Sequence, residues 1–306
     1  MNLQDLRYLV AVARHRHFGR AAEECHISQP TLSSQIRKLE SELGVPLLER
    51  SNKRVEVTPV GRQILAHAQR VLIEVQQMEE VAAAAHDPLA GILRLGVIPT
   101  LAPYLMPHLL PFLRKQYPGL TIALWEQQTS LLLEGLRSHR LDAALLATAI
   151  EGSELTDLAL FEEPLLAALP RGHRLAAESI VAEADLGDDL LVLAEGHCLA
   201  DQALAACSAQ AASGQNSLQG NMQAATLETL INLVVAGYGS TLIPALAAAP
   251  LGKRGIVIRP LARNSSRTIR LASRPGFPRP QALRALEKTI RGAVAGILAG
   301  SAQTPR

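Results

Sequence analysis

The feature that most constrains the fold is a long, unbroken helical pattern near the N-terminal end of the chain. It begins at Thr58 and Pro59, a capping residue followed by proline at the first helical position, and continues to about Ala85. Its apolar residues alternate steps of four and three, the spacing of a coiled-coil seam. They are Ile64, Ala68, Val71, Val75, Met78 and Ala82. Such a helix predicts a small unit before it, residues 1–58, and a larger unit after it.

The small unit contains three shorter helical patterns, of which the third is the most informative. That pattern begins at Ser28, a good N-cap, and ends at Gly44, a good helix stop. Its apolar residues step by four, three and four, which predicts one buried stripe. The stripe consists of Leu32, Ile36, Leu39 and Leu43.

The other face of this third helix carries hydroxyl groups, amides and two cations, with no acidic residue before Glu40. Short hydroxyl and amide groups can hydrogen-bond base edges, and cations suit phosphates. We therefore expect this face to contact DNA. The expected contact residues are Ser28, Gln29, Pro30, Thr31, Ser33, Ser34, Gln35, Arg37 and Lys38.

The next segment, PLLERSNKRVEVTP, predicts a β-hairpin with strands at 47–48 and 55–57. Arg50, Lys53 and Arg54 crowd its tip and could lie along a phosphate backbone. Helices followed by such a hairpin predict a winged helix-turn-helix, whose third helix enters the major groove of double-stranded DNA. A solvated polar helix and a basic loop in an unrelated helical domain are the alternative.

The long helix predicts a dimer, because the small unit alone cannot cover its apolar seam. Two copies paired along it would relate two DNA-binding units by a two-fold axis, which suits a palindromic site. Packing of the seam against the chain's own larger domain is the alternative. Residues 86–91 end the helix and are expected to act as a hinge, so the predicted linker covers 59–91.

Composition excludes several classes of protein. Hydrophobic residues make up 48% and charged residues 19%, as in ordinary globular proteins. Three cysteines are too few for a secreted disulfide framework. A signal peptide and an apolar run of about 18 residues are both missing from the sequence, so we expect a cytoplasmic protein that does not engage a membrane.

Residues 92–306 predict an α/β domain. Its first part alternates strand and helix, with strands ILRLGVIP, TIALWEQQ and LDAALLAT and helices capped near Thr100 and by Thr129 or Ser130. This order predicts a parallel sheet with right-handed crossovers. Both helix starts would then lie at the carboxyl ends of adjacent strands, where open α/β sheets bind ligands.

The second part repeats this order more loosely. Strands are predicted at LLAALP, LLVLAEG, NMQAAT and STLIPA, and helices at 199–211 and 227–236. The segment IVIRPLARNSSRTIRLASRP then leads back toward the first part, which predicts two subdomains with a cleft between them, covered by a last helix from 281 to 298. No metal or cofactor is expected, since the lone Gly237-Tyr238-Gly239 predicts only a tight turn.

The small unit, the long helix and the two-lobed domain together resemble the LysR-type transcriptional regulators over essentially the full length. The segment AAEECHISQPTLSSQIRKLESELGVPLLERSNKRVEVTPVG carries the most specific part of this resemblance. The family implies a winged helix-turn-helix, a coiled-coil linker helix and a regulatory domain of two α/β subdomains, similar to periplasmic binding proteins. It also implies a DNA-binding regulator rather than an enzyme, a tetramer as the usual assembly, and contact with RNA polymerase.

Within that family, GHCLADQALAAC followed by ATLETLINLVVAGYGSTLIPAL resembles the members that sense hydrogen peroxide and control oxidative-stress genes. This resemblance implies that Cys198 is the peroxidatic residue, oxidised to a sulfenic acid, and that Cys207 resolves it as a reversible disulfide. Cellular thiol reductants would reset the switch. The residues expected around the peroxide are Thr100, Thr129 and His197, with Arg267 as a partner of the thiol.

The spacing of the two cysteines has a physical consequence of its own. The residues between them are rich in alanine and leucine and predict a helix. Nine residues rise by roughly 13 Å, whereas a disulfide needs Cα atoms about 4.4–6.8 Å apart. A bond between Cys198 and Cys207 would therefore change the local structure. At the helix N-terminus, the backbone N–H groups are expected to lower the pKa of Cys198.

Other interpretations stay open at this point. Both cysteines could be inert core residues, and a small organic effector could bind in the cleft of a regulator that does not sense peroxide. A thiol peroxidase with a DNA-binding unit is the enzymatic alternative. A Cys–His hydrolase is disfavoured, because no positioned acid or oxyanion motif accompanies Cys198 and His197.

Overall fold

The computed structural model describes residues 1–50, 55–187, 189–207 and 224–301; it does not describe the side chains of 50, 80, 83–86 and 299–301. These residues form two compact units, 1–82 and 83–306. Of the helices in the described residues, none is long and apolar enough to cross a membrane.

The first unit opens with three helices, α1 (Leu3–His15), α2 (Phe18–Glu24) and α3 (Gln29–Leu43). The Ser28 side chain caps α3 by accepting the N–H of Thr31, as the sequence predicted. The helix ends at Gly44, whose φ of 70° is the left-handed conformation that glycine tolerates best. The predicted stripe is buried at Leu32, Ile36 and Leu39, and Leu43 packs against it.

The predicted hairpin is present as β1 (Leu48–Arg50) and β2 (Val55–Val57), which pair antiparallel. Leu47, predicted as a strand residue, instead lies fully buried just before β1. The Glu40 carboxylate fixes this junction, because its Oε1 accepts the N–H groups of Leu47 and Leu48 at 2.9 and 3.1 Å. The hairpin is thereby attached to the end of α3.

The long helix is α4 (Pro59–His86), 28 residues that start where the sequence predicted. The Thr58 hydroxyl caps it by accepting the N–H of Gly61 at 2.8 Å. Its first turns pack against the core of α1–α3 through residues that include Ile64 and Ala68. Further along the predicted seam, Val71 is 42% exposed and Met78 is 71% exposed, which leaves an apolar stripe on the surface.

The second unit begins with the predicted alternation of strands and helices. The elements are β3 (Gly91–Val97), α5 (Ala102–Gln116), β4 (Leu120–Glu126), α6 (Thr129–Arg137) and β5 (Ala143–Leu146). Strand β3 lies between β4 and β5 and is parallel to both, which confirms the predicted sheet. The segments after β3 and β4 therefore emerge side by side at one edge.

Two long strands connect this part of the sheet to a second subdomain. Strand β6 (Thr156–Pro170) leaves, and β9 (Ser266–Ser273) returns antiparallel beside it. The far end of β6 pairs with β7 (Thr241–Pro244) and β8 (Ile256–Pro260). Each subdomain has its own hydrophobic core, so the predicted pair of subdomains is present.

Among the described residues of this unit, the remaining helices are two short 3-10 turns, Arg174–Ala177 and Glu183–Leu186, and the α-helices α7 (Cys198–Cys207), α8 (Leu227–Val235), α9 (Ala245–Gly252) and α10 (Pro280–Ser301). The prediction of a strand at LLVLAEG was wrong, because this segment makes only isolated bridges, Leu190 with Ser240 and Leu193 with Ala224, before it turns into α7. The predicted strand NMQAAT is likewise represented by that bridge at Ala224, and its first three residues lie outside the described residues. So do residues 208–211 of the predicted helix.

Candidate functional site

A small recess forms where three segments of the second unit meet at the carboxyl ends of β3 and β4. The family resemblance implied that Thr100, Thr129, His197 and Cys198 share a site. All four residues line this recess. Its full lining is Ile98, Pro99, Thr100, Gln128, Thr129, Gly196, His197 and Cys198.

Thr100 makes contacts that differ from the predicted helix cap. The N-cap residue of α5 is Leu101. The hydroxyl of Thr100 instead accepts a hydrogen bond from Nη1 of Arg267 at 2.8 Å, and its carbonyl accepts one from Nη2 at 3.2 Å. Because a guanidinium only donates, the hydroxyl proton of Thr100 must point away from Arg267.

Arg267, which the resemblance implied as a partner of the thiol, lies behind the recess with its side chain fully buried. Its Nε and Nη2 both donate to Oε2 of Glu163, at 2.9 and 2.8 Å. The other carboxylate oxygen of Glu163 accepts the N–H of Leu246 at 3.0 Å. Sequence reasoning missed Glu163, although strand alternation in FEEP requires Glu162 and Glu163 to face opposite sides.

Thr129 is the first residue of α6, and Gln128 occupies the N-cap position predicted for Thr129 or Ser130. The Thr129 hydroxyl is buried and has no hydrogen-bond partner within the described part of the chain. It lies near enough to the Cys198 sulfur to lower the pKa of that thiol. A buried hydroxyl without a hydrogen-bond partner among the described residues can donate to a small polar ligand that binds beside the sulfur.

Cys198 is the first residue of α7 and is buried in the core of the first subdomain. Burial raises the pKa of its thiol above the usual value. The Arg267 guanidinium, the Thr129 hydroxyl and the backbone N–H groups at the start of α7 act in the opposite direction. The helix N-terminus thus acts as predicted, but the expectation of a lowered pKa was wrong because burial outweighs it.

The loop that leads into α7 is closely fitted to the recess. Gly196 has a φ of +90°, and a Cβ there would meet Oε1 of Gln128 at 2.7 Å. The Gln128 amide also donates to the carbonyl of Glu195 at 3.4 Å. The neighbouring His197 is buried and lines the recess beside Cys198.

Cys207 is the last residue of α7 and is buried in the core of the second subdomain. Burial and the Glu183 carboxylate raise the pKa of its thiol to about 11. Both Cys198 and Cys207 are free thiols. Since they occupy the two ends of a ten-residue helix, their backbones are roughly 13 Å apart along its axis.

In the first unit, most of the predicted DNA-contact residues of α3 are exposed, and Ser33 and Gln35 are half-buried. The Ser28 hydroxyl serves as the helix cap. Arg37 lies back along its own helix, donating to the carbonyl and hydroxyl of Ser33 at 3.3 and 3.4 Å. The side chain of Arg50 and the whole of Lys53 and Arg54 lie outside the described residues.

Two family models match this chain. Residues 3–62 match the bacterial regulatory helix-turn-helix protein, lysR family, and residues 86–295 match the LysR substrate binding domain. Together these matches cover both units.

Individual proteins match over nearly the full length. The chain is 45% identical over 299 residues to the DNA-binding transcriptional dual regulator OxyR of Escherichia coli K12, covering 97% of each. Full-length OxyR of Pseudomonas aeruginosa with a Cys-to-Asp substitution is 39% identical, with a TM-score of 0.72 and coverage of 95% of this chain and 98% of that one. A hydrogen-peroxide-bound Cys-to-Ser mutant of Corynebacterium glutamicum OxyR is 33% identical, with a TM-score of 0.68 and coverage of 98% and 95%.

Proposed function

This chain belongs to the LysR family of bacterial transcriptional regulators, and we propose that it senses hydrogen peroxide through Cys198 and transmits the signal to DNA. The observation that carries the proposal is the recess itself. There a buried thiol, the Thr129 hydroxyl and the Thr100–Arg267 pair converge at one point. The OxyR relative with bound hydrogen peroxide supports the same ligand here.

In the first step, the sulfur of Cys198 attacks one oxygen of hydrogen peroxide. The S–O bond forms as the O–O bond breaks, and the departing oxygen leaves as water after taking up the thiol proton. Sulfur is oxidised by two electrons to a sulfenic acid, and the peroxide is reduced. The hydroxyls of Thr100 and Thr129, the charge of Arg267 and the adjacent His197 hold the peroxide and stabilise charge on the departing oxygen.

In the second step, the thiol of Cys207 attacks the sulfenic sulfur, forms the S–S bond and releases water. Because the two residues end the same helix and lie in different cores, α7 has to unwind for this bond to form. Closing a ten-residue loop constrains the chain by roughly 2.5–3 kcal/mol, comparable to a typical allosteric coupling. Cellular thiol reductants supply the two electrons that restore both thiols.

At the DNA end, α3 enters the major groove and the basic hairpin of Arg50, Lys53 and Arg54 follows the phosphate backbone. Two chains pair along α4, where the exposed Val71 and Met78 supply apolar surface for a partner helix. Paired DNA-binding units then meet a palindromic operator, and further assembly to a tetramer and contact with RNA polymerase complete the regulator. In this organisation residues 1–58 bind DNA, 59–91 dimerise and 92–306 sense peroxide.

One experiment tests the chemistry and its output together. The 198–207 peptide is examined by mass spectrometry after about one equivalent of peroxide, and the DNA footprint of each form is recorded. We expect a Cys198–Cys207 disulfide and an altered footprint in the parent protein and in a Cys25→Ser control. Cys198→Ser is expected to show neither. A peroxide response that persists in Cys198→Ser would show that Cys198 is not the sensing residue.

A further inference from the structure

The structure contains a buried acid, Glu163, for which the peroxide chemistry above has no direct use. We propose that Glu163 is a positioning residue, which holds the Arg267 guanidinium so that the Thr100 hydroxyl donates toward peroxide bound at Cys198. This inference rests on the function proposed above and assigns one further residue to that site.

The contacts of Arg267 show how completely Glu163 fixes it. Two of its three nitrogens donate to the same oxygen of Glu163, at 2.9 and 2.8 Å, and neither side chain has any exposed surface. A forked pair of this kind fixes the plane of the guanidinium as well as its position. The remaining nitrogen, Nη1, is thereby aimed at the Thr100 hydroxyl, which it reaches at 2.8 Å.

The strand pairing explains why Glu163 and Arg267 meet. They face each other in register on β6 and β9, the two strands that connect the subdomains. Their neighbours Glu162 and Thr268 face each other in the same way on the opposite, exposed side, joined by a 2.6 Å hydrogen bond. The same sheet thus offers a buried acid and a matched exposed one.

Burial of two charges is costly unless the geometry is nearly complete, and replacing such a pair with apolar residues is often harmless to stability. A purely structural need is therefore a weak explanation for Glu163. Its second oxygen accepts the N–H of Leu246 in the first turn of α9, where a helix N-terminus favours a carboxylate. Glu163 is thus anchored on the side away from Thr100, which holds it against any turning of Arg267.

The direction of the hydrogen bonds connects this anchor to the reaction. Glu163 accepts from Arg267, Arg267 donates to the Thr100 oxygen, and the Thr100 proton is left to point into the recess. If Arg267 rotates, Thr100 loses this constraint and can donate elsewhere. The expected consequence is slower reaction of Cys198 with peroxide and a weaker effect of Arg267 on its thiol.

The test compares Glu163→Asp with the control Glu162→Gln in the full-length protein. Aspartate keeps the charge but is one methylene too short to contact Arg267 and Leu246 together. We expect the rate constant for oxidation of Cys198 by hydrogen peroxide to fall roughly tenfold or more. We also expect the pH profile of Cys198 alkylation to move to higher pH, since Arg267 would stabilise the thiolate less. Glu162→Gln is expected to match the parent protein in both measurements.

A double-mutant comparison separates positioning from general damage. If Glu163 acts through Thr100, its replacement should cost little further rate in a Thr100→Val background when rates are compared at equal thiolate fraction, taken from the alkylation profiles, whereas losses that simply add there would overturn the proposal. A folded Glu163→Asp variant with the parent rate and alkylation profile would also overturn it, as would failure of that variant to fold. Persistent peroxide sensing in Cys198→Ser would remove the proposed function and this inference together. Loss of sensing there with an unchanged Glu163→Asp rate would remove the inference alone.

Discussion

The two ends of α7 place chemically identical thiols in contrasting surroundings. At the first end, burial of Cys198 is opposed by Arg267, by Thr129 and by backbone N–H groups, all of which favour the thiolate. At the second end, burial of Cys207 is reinforced by the Glu183 carboxylate, and the pKa rises to about 11. For the proposed switch, the difference implies an order of events, in which Cys198 reacts first and Cys207 becomes reactive only after α7 opens.

We expect Arg267→Met to change the difference between the two thiols most, because it removes the cation that favours the thiolate of Cys198. We expect oxidation of Cys198 by peroxide to slow by about 10²–10³-fold, the usual consequence of losing an electrostatic donor. The variant also leaves Glu163 buried without its partner, at a cost of about 3–5 kcal/mol, so rates are to be measured on protein shown to be folded. Arg270→Met, three residues along β9 in a partly exposed pair with Asp157, is the control and should react normally.

The pH dependence of Cys198 oxidation should show the second-largest effect. Since burial raises its pKa, the thiolate is the minor form near neutrality. The rate should then increase by about tenfold per pH unit between about pH 6 and 8. Stopped-flow oxidation in a Cys207→Ser background measures this step alone. A rate that is flat over this range would mean that Cys198 is already ionised and that burial does not dominate.

Thr129→Val tests the hydroxyl that stands beside the sulfur. We expect oxidation to slow by roughly tenfold, because a donor to the departing oxygen is lost. Stability should change by less than about 0.5 kcal/mol, since that hydroxyl has no hydrogen-bond partner among the described residues. Peroxide kinetics and thermal unfolding of the same preparation test both expectations. A large loss of stability with an unchanged rate would make Thr129 structural.

Glu183→Gln should reduce the contrast from the second end, with the smallest effect of the four. Removing the carboxylate lowers the pKa of Cys207, so its alkylation in the reduced protein should become about two- to threefold faster at pH 8. The amide oxygen can still accept the contacts that Glu183 now makes with Arg263 and Ser265. The rate at Cys198 should be unchanged, and an equal increase at both cysteines would indicate general loosening.

The raised pKa of Cys207 also makes the stability of the folded protein depend on pH. A thiol near pKa 8.5 in the unfolded chain and about 11 in the folded one favours the folded state while it is protonated. That contribution is fully present below about pH 8.5 and is lost as the pH rises toward 11. Cys207→Ser should show a smaller loss of stability over the same range than the parent protein.

The sequence predicted those parts of the molecule that depend on local signals. The signals that define α3 all lie within 17 consecutive residues. They are the cap at Ser28, the stop at Gly44 and the apolar stripe between them, and the structure confirms them. The alternation of β3, α5, β4, α6 and β5 is equally local, and so is the meeting of Thr100 and Thr129 at one sheet edge.

What the sequence could not predict depends on distant contacts. Thr100 does not cap α5, because a guanidinium 167 positions away engages its hydroxyl. Glu163 and Arg267 become partners only when strands 104 residues apart pair in one register. The net pKa of Cys198 follows from how deeply the core of the first subdomain buries it, which no spacing between residues encodes.

The paired strands β6 and β9 have a mechanical consequence. They pair from Thr156 opposite Ser273 to Pro164 opposite Ser266, with the register shifting by one residue between Ala159 and Phe161. Because the backbone hydrogen bonds between the two strands resist shear, we expect such a ribbon to twist as one piece rather than to act as a flexible joint. In the proposed switch, strain released at α7 would therefore pass between the subdomains as a twist of this ribbon, and we expect the ribbon to deform most easily at the register shift after Ala159.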